Sequence, residues 1–196
     1  MDKKKLTAKD FITVGIFTAI VFVVEFACGI LGFIHPYIVA PYVVMIPIVA
    51  SIPMMLFYSK VDKFGMITIM SVLIAIIMFV TGMGFLGAPL IILAGVVADF
   101  IAKAGDYKQF KLISISYAVF CLWICANYFP VIVTANSYKE SLLEEGYSAE
   151  YTDSLFRAIN SKTIWVLLIL CLIFGYVGSY IGKVVVKKHF EKAGIV

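Results

Sequence analysis

The sequence predicts an all-α integral membrane protein with six transmembrane helices and both termini in the cytoplasm. Hydrophobic residues make up 63% of its 196 residues and charged residues only 14%, which is far less charge than a soluble domain of this size carries. Apolar stretches recur along the chain, and about twenty such residues cross a bilayer core as a helix. The basic residues cluster between alternate stretches. We therefore expect a single membrane domain that occupies residues 1–196.

The predicted spans divide the chain into six apolar segments, at about residues 11–34, 37–58, 64–81, 85–102, 110–135 and 163–182. Before the first span, Thr7 and Asp10 fit a capping box, which predicts a helix start near this point. The first apolar run is too long for a signal peptide and lacks a small-residue cleavage site. We therefore interpret it as a membrane span.

Two of the spans carry patterns that predict how they pack. The second contains Pro41, Pro47 and Pro53, which predict a bent helix inside the protein, where neighbouring groups can satisfy the carbonyls that the prolines leave free. The sixth contains a ladder of small residues, where another helix can approach closely. The ladder consists of Gly175, Gly178, Ser179 and Gly182.

The basic residues predict the orientation. Thirteen of the sixteen lie at the two termini and in the second and fourth loops, which leaves only Lys139, Arg157 and Lys162 on the opposite side. By the positive-inside rule, the lysine-rich side faces the cytoplasm of a cell membrane. The net charge of +4 follows from this orientation, so we do not interpret it as a nucleic-acid surface.

The only sizeable hydrophilic segment, residues 136–162, is predicted to lie outside. Ser148 is placed to cap a short helix with Tyr151, Leu155, Phe156 and Ile159 on one face. We expect this amphipathic helix to lie on the outer membrane surface.

Two carboxylates lie within predicted spans. Glu25 follows Asp10 by about 22 Å of helix, in the outer half of the membrane, where a carboxylate is costly and normally faces a cavity, an ion pair or a proton path. It is either functional, with a hint of a cationic or amine-bearing substrate, or a structural residue at a helix contact. For Asp99, an i,i+4 ion pair with Lys103 is a sufficient structural explanation.

A set of polar and aromatic residues at the outer ends of the spans predicts a small-molecule pocket, because such pockets combine aromatic walls with a few convergent polar groups. Trp and Tyr at this depth are also typical of the membrane interface. Together with Glu25, the predicted substrate-binding residues are His35, Tyr37, Trp123, Asn127, Tyr128, Asn136 and Trp165.

Enzymatic signatures such as H-E-x-x-H, G-x-S-x-G or a glycine-rich phosphate loop do not occur in the sequence. We therefore predict a transport protein that is not an enzyme, that uses no cofactor or metal, and that needs a partner for any nucleotide hydrolysis. Four cysteines lie in apolar runs and are expected to be small buried residues. They are Cys28, Cys121, Cys125 and Cys171.

The first span contains a small-xxx-small pair, Gly15 and Ala19, of the kind that brings membrane helices together. The pair serves either packing within the monomer or docking to a separate subunit. The pattern does not decide between the two.

Several stretches together resemble the substrate-binding S components of energy-coupling factor (ECF) transporters, in particular the Trep_Strep group. They are residues 6–19, 63–70, 98–101, 116–120 and, most specifically, 178–195. The resemblance covers essentially the whole chain. It implies a six-helix protein in the lipid bilayer that captures a vitamin or related micronutrient outside, together with a membrane coupling subunit and two cytoplasmic ATPases.

The resemblance also implies roles for individual residues. The coupling-subunit contact corresponds to Gly15 and Ala19, although the usual pair is two alanines. The family pocket, in the outer halves of the fourth to sixth helices and the outer loops, corresponds to the residues already named at Trp123, Asn127, Asn136 and Trp165. The substrate is not implied.

Two alternatives remain open at the level of the sequence. The first is a self-sufficient proton- or ion-coupled carrier that uses Glu25 and Asp99 as relay groups. The second is an intramembrane enzyme, for which we find no catalytic pair on one side.

Overall fold

The computed structural model describes residues 5–34, 36–81 and 86–191, and the regular secondary structure of these residues is helical, as predicted. The helices are α1 (Ala8–Ile34), α2 (Val39–Val49), α3 (Ser51–Tyr58), α4 (Met66–Val80), α5 (Ala88–Ala104), α6 (Phe110–Phe120), α7 (Leu122–Ala126), α8 (Pro130–Val133), α9 (Ala135–Glu144), α10 (Ala149–Ala158) and α11 (Thr163–Val186). A short 3-10 turn, Pro36–Ile38, precedes α2, and a π turn, Lys187–Glu191, follows α11.

Three segments are long and apolar enough to cross a membrane: Ala8–Ile30, Pro41–Tyr58 and Thr163–His189. Met66–Val80 and Phe110–Ala126 are apolar helices of shorter length. These five segments coincide with the first, second, third, fifth and sixth predicted spans, and α5 overlaps the fourth. The membrane class therefore agrees with the sequence, and the count of six spans stays a prediction.

Successive apolar helices run between two ends of the molecule. One end, which we call the lysine-rich end, includes the start of α1 and the segments that follow α3, α5 and α11. There Lys63 Nζ lies 2.7 Å from Asp10 Oδ2, and this ion pair joins α1 to the α3–α4 loop. The opposite end, which includes the end of α1 and residues 127–158, we call the cavity end. That the lysine-rich end faces the cytoplasm remains a prediction.

The small-residue ladder places α11 against α2, α3 and α6. A Cβ atom on Gly178 would lie 2.5 Å from the Pro47 carbonyl oxygen, and one on Gly182 would lie 2.5 Å from the Ser51 carbonyl oxygen. Larger residues at these two positions would therefore collide with backbone. The predicted role of the ladder in close helix packing is confirmed.

The second apolar segment is interrupted at Ala50, between α2 and α3, and it packs inward as predicted. Pro47 lies inside α2, and its carbonyl oxygen accepts a hydrogen bond of 2.6 Å from the Tyr117 hydroxyl of α6. A second bond links Tyr58 and Ser116 at 2.7 Å. Side chains of neighbouring helices thus satisfy the polar groups of the broken segment.

The fifth predicted span, 110–135, is shorter than expected. Its helix ends at Ala126, and a turn at residues 127–129 separates it from α8. Pro130 has no N–H to donate, and the Ala126 carbonyl accepts instead from Phe129 N, at 3.2 Å. Of the four cysteines, three are buried and Cys28 is partly buried, and all four are free thiols.

Asp99 is structural, but through partners other than the predicted one. Its Oδ2 accepts hydrogen bonds from Gly65 N (2.9 Å), Thr68 N (3.0 Å) and Thr68 Oγ1 (2.9 Å). Its Oδ1 accepts from the Tyr107 hydroxyl at 2.9 Å. The carboxylate of α5 therefore caps the N-terminus of α4, whose first N–H groups have no partner within their own helix.

The expected Asp99–Lys103 ion pair is wrong. The Lys103 ammonium lies 5.0 Å from the centre of the Phe64 ring, as a cation–π contact. The carboxylate turns towards backbone N–H groups at the start of α4, which have no partner within their own helix.

Helix α10 begins as predicted, since the Ser148 hydroxyl accepts a hydrogen bond of 3.1 Å from Tyr151 N. Its apolar face, however, packs onto the protein. Leu155 and Ile159 are buried, and α10 contacts α9 and the turn Pro36–Ile38. The expectation that this face lies on the membrane surface is therefore corrected, because the helix covers the cavity end of the bundle.

Candidate functional site

A cavity of about 310 Å³ opens at the cavity end, beneath α9 and α10. This volume lies at the lower end of the range for small-ligand sites. The lining is mostly aromatic. It consists of Phe22, Glu25, Phe26, Gly29, Tyr42, Met78, Thr81, Tyr128, Tyr138, Leu142, Tyr147, Tyr151 and Leu155.

Helix α1 supplies one wall, from a single face. Phe22 precedes Glu25 and Phe26 by three and four residues, and Gly29 follows them by four and three, a spacing that places all four on one side of the helix. A Cβ atom on Gly29 would lie 3.4 Å from the hydroxyl oxygen of Tyr42. The Tyr42 phenol of α2 therefore lies against α1 at this glycine.

Helices α9 and α10 form the roof. Lys139 Nζ lies 2.6 Å from Asp153 Oδ1, and this ion pair joins the two helices. The Tyr147 and Tyr151 rings stack with their centres 5.3 Å apart. The hydrogen bond from Lys139 lowers the pKa of Asp153.

The roof also contributes a neutral phenol. Burial, followed by the nearby Glu145 charge, raises the pKa of Tyr138 to about 12. The Tyr138 hydroxyl therefore keeps its proton at neutral pH, and its ring faces the cavity without a charge.

Glu25 is the only charged residue in the described lining of the cavity. It is only 2% exposed, and neither carboxylate oxygen has a hydrogen-bond partner among the described residues. A buried carboxylate without a partner costs several kcal/mol, of the order of the desolvation penalty of an ion in a protein. Such a group in a cavity wall is available to a ligand that supplies the missing donor or positive charge.

A protein-family profile described as "Hypothetical bacterial integral membrane protein (Trep_Strep)" matches residues 8–192. The chain belongs to the Trep_Strep family. Searches of curated proteins and of solved structures gave no significant match. The membrane assignment of this Trep_Strep protein thus has support from the family and from its apolar helices.

The structure brings together only some of the predicted binding residues of the Trep_Strep protein. Glu25 and Tyr128 line the cavity. Trp123 is buried beside Glu25, at a separate void of about 10 Å³ deeper in the bundle. Asn127 is partly buried, and its Oδ1 has no hydrogen-bond partner among the described residues, but it does not line the cavity.

The other predicted residues lie elsewhere. Trp165 is 67% exposed and Tyr37 59% exposed. Asn136 is also exposed. In α11 the neighbours Ile164 and Leu167 are buried, so the tryptophan between them points away from the bundle. His35 lies outside the described residues.

The position of the cavity differs in part from the expected one. The resemblance implied a pocket in the outer halves of the fourth to sixth helices and the outer loops, and the roof and Tyr128 agree with this. The walls from α1, α2 and the end of α4 were not expected. The spacing of Phe22, Glu25 and Phe26 was a signal for this wall that the sequence already carried. The positions of Tyr42 and Tyr138 depended on how α2 and α9 pack, which no local pattern reveals.

The predicted partner contact of the Trep_Strep protein lies outside the cavity. Ala19 is exposed, and a Cβ atom on Gly15 would have no described atom within 4 Å. Exposed apolar side chains surround the pair, among them Ile12 and Ile16. Packing within the monomer therefore does not account for the two small residues.

Proposed function

We propose that this protein is the substrate-binding S component of an ECF-type importer in the cell membrane. It captures a vitamin or a related small micronutrient at the outer face, and a coupling subunit with two cytoplasmic ATPases drives delivery inward. The chain itself performs no enzymatic step. In this proposal the termini and the lysine-rich end are cytoplasmic.

The observation that carries the proposal is the roofed cavity with Glu25 in its wall. It lies at the end opposite the lysines, which is the outer end in the proposed orientation, so it can receive a solute from outside. The Lys139–Asp153 pair is 2.6 Å long and largely exposed, and exposed pairs contribute little stability. The roof is therefore able to open for exchange of the solute.

The surface of α1 supports the need for a partner. Gly15 and Ala19 form a shallow notch that no described part of the chain fills. Apolar side chains border the notch, as a membrane helix docking through small residues requires. A coupling subunit in the membrane is the proposed occupant.

Co-purification tests the proposal. The protein is expressed with an ECF coupling subunit and its two ATPases, and the complex is captured through a tag on this chain. We expect the Ala19→Leu variant to recover at least about tenfold less coupling subunit, because the added side chain fills the notch; tenfold corresponds to about 1.4 kcal/mol. The matched control is Ala27→Leu, which enlarges another exposed alanine of α1 and leaves recovery unchanged.

Two results of this experiment would contradict the proposal or the role of the notch. If the unaltered chain recovers no coupling subunit under conditions that retain other S components, the proposal is wrong. Equal loss in the Ala19→Leu and Ala27→Leu variants would assign the effect to general damage of α1 and would remove the notch from the argument.

The alternative, a self-sufficient ion-coupled carrier, has less support. It assigned relay roles to Glu25 and Asp99, but the Asp99 carboxylate accepts four hydrogen bonds from α4 and the α5–α6 loop. The four bonds fix the position of this carboxylate as a cap of α4, which accounts for its burial without a relay role. Uptake by the purified chain alone in liposomes, driven by an ion gradient, would favour the carrier.

A further inference from the structure

We propose that the cavity selects an organic cation, a ligand whose protonated amine or quaternary ammonium group lies between Glu25 and the surrounding phenol rings. The inference rests on the proposed function only in taking this cavity as the substrate site. It adds the chemical class of the substrate, which the family description leaves open.

The first argument is the missing counter-charge. Glu25 is buried, and neither of its carboxylate oxygens has a partner among the residues that the structure describes. No lysine or arginine belongs to the described lining. Lys63 and Lys139 form the described ion pairs, but with Asp10 and Asp153 and not with Glu25. The described residues therefore offer Glu25 no positive partner, and a cationic ligand would supply one.

The second argument is the kind of side chain that surrounds Glu25. Seven of the described lining residues are aromatic, five of them tyrosines: Phe22, Phe26, Tyr42, Tyr128, Tyr138, Tyr147 and Tyr151. The faces of aromatic rings attract cations, and rings that surround an ammonium group recognise it even when it has no N–H to donate. Such walls also exclude water, which strengthens the attraction between a carboxylate and a cation.

Anionic and neutral ligands fit this lining less well than a cation does. An anionic ligand would meet the Glu25 carboxylate and the negative faces of the rings, with no basic group in the described lining to compensate. A neutral ligand could donate a hydrogen bond to the carboxylate but would bring no counter-charge, so it gains less from this group than a cation does. A cation satisfies the carboxylate and the rings at the same time.

Four probes with one skeleton test the inference on the purified chain in detergent, without the coupling module. They are 2-phenylethylamine, its trimethylammonium analogue, neutral 2-phenylethanol and anionic phenylacetate, and binding is measured by calorimetry at neutral pH. We expect both cations to bind at least about tenfold more tightly than the alcohol, and phenylacetate to bind most weakly. Binding of the amine but not of its trimethyl analogue would indicate hydrogen bonding to Glu25 without a cation cage and would overturn the role of the rings.

Two pairs of variants test whether Glu25 and the Tyr42 ring cause the preference for cations. We expect Glu25→Gln to lower cation binding about tenfold and to leave the alcohol within about twofold, whereas Glu140→Gln, at an exposed carboxylate of the roof, changes neither. Tyr42→Phe retains a ring and keeps the preference, and Tyr42→Leu reduces cation binding by about fivefold.

The inference is overturned if the alcohol binds as tightly as the cations, if neither cation binds at millimolar concentration, or if Glu25→Gln leaves the preference intact. Each of these results is independent of the coupling subunit. A chain that binds the cations but recovers no coupling module would refute the proposed function and retain the cation site.

Discussion

Two carboxylates lie within the apolar helices, and the structure predicts that removing their charges has different consequences. Asp99 accepts four hydrogen bonds, three of them at Oδ2. Glu25 accepts none from the described residues. The isosteric amides Asp99→Asn and Glu25→Gln remove the negative charge from each site while keeping the shape of the side chain.

The magnitude follows from the hydrogen bonds. A bond to a charged acceptor contributes about 1.5–3 kcal/mol and a bond to a neutral acceptor about 0.5–1.5 kcal/mol, so each bond to Asp99 loses about 1 kcal/mol in the asparagine variant. An amide also has one acceptor oxygen fewer than a carboxylate. The three bonds at Oδ2 alone are therefore expected to lower the free energy of unfolding of Asp99→Asn by about 3 kcal/mol, and loss of the acceptor for Tyr107 adds to this fall. Glu25→Gln loses no hydrogen bond and removes a buried charge, so it should leave the free energy of unfolding unchanged or raise it.

The assay is unfolding of both variants and the parent chain in the same detergent, followed by helical circular dichroism. For a chain of this size, about 3 kcal/mol corresponds to a fall in Tm of about 6–12 °C. The parent chain is measured after exhaustive washing, so that no bound solute stabilises it. The reasoning is refuted if Glu25→Gln destabilises the protein as much as Asp99→Asn, because Glu25 would then have a structural partner.

Three further predictions concern the packing of α11 and the roof. Gly178→Leu should prevent stable folding, measured as loss of monodisperse protein on gel filtration, whereas Gly15→Leu, with no described atom near its Cβ position, should fold normally; equal behaviour would contradict the predicted helix contact. Ser148→Ala should destabilise α10 by about 1 kcal/mol, seen as faster amide exchange confined to residues 149–158, and unchanged exchange would argue against the cap. Lys139 lowers the pKa of Asp153 in the folded protein. The stabilisation of the roof by this pair should therefore be complete above the ordinary carboxyl pKa, and it should be lost as the pH falls through the lowered pKa of the folded state. Exchange in α10 should therefore accelerate at low pH, and Lys139→Ala should reduce this pH dependence; an equal acceleration in that variant would exclude the pair as its cause.

Helix-level features could be predicted wherever the information is local. Ser148 was predicted as a cap and is one, because the cap joins residues three apart. The glycine ladder was predicted to seat a helix, because only small residues at helical spacing permit backbone contacts as close as those of Gly178 and Gly182.

Predictions failed where the partner or the direction of a side chain depends on residues far away in the sequence. Lys103 was the nearest donor to Asp99 in sequence, but the carboxylate bonds to Gly65 and Thr68, more than thirty residues away. Trp165 was placed in a pocket wall because it belongs to the polar and aromatic set at the outer ends of the spans and because the family resemblance implied it. The rotation of α11 turns it outward.

The sequence alone determined the all-helical membrane class, the apolar segments and the close packing of α11, because hydrophobicity, length and residue size act within each helix. Only the tertiary structure decided that Glu25 faces a cavity while Asp99 is bonded, and that α9 and α10 cover that cavity. These outcomes depend on the rotation of each helix about its axis. That rotation is set by packing between segments far apart in the chain, and one side chain therefore faces a cavity while another meets the N-terminus of a neighbouring helix.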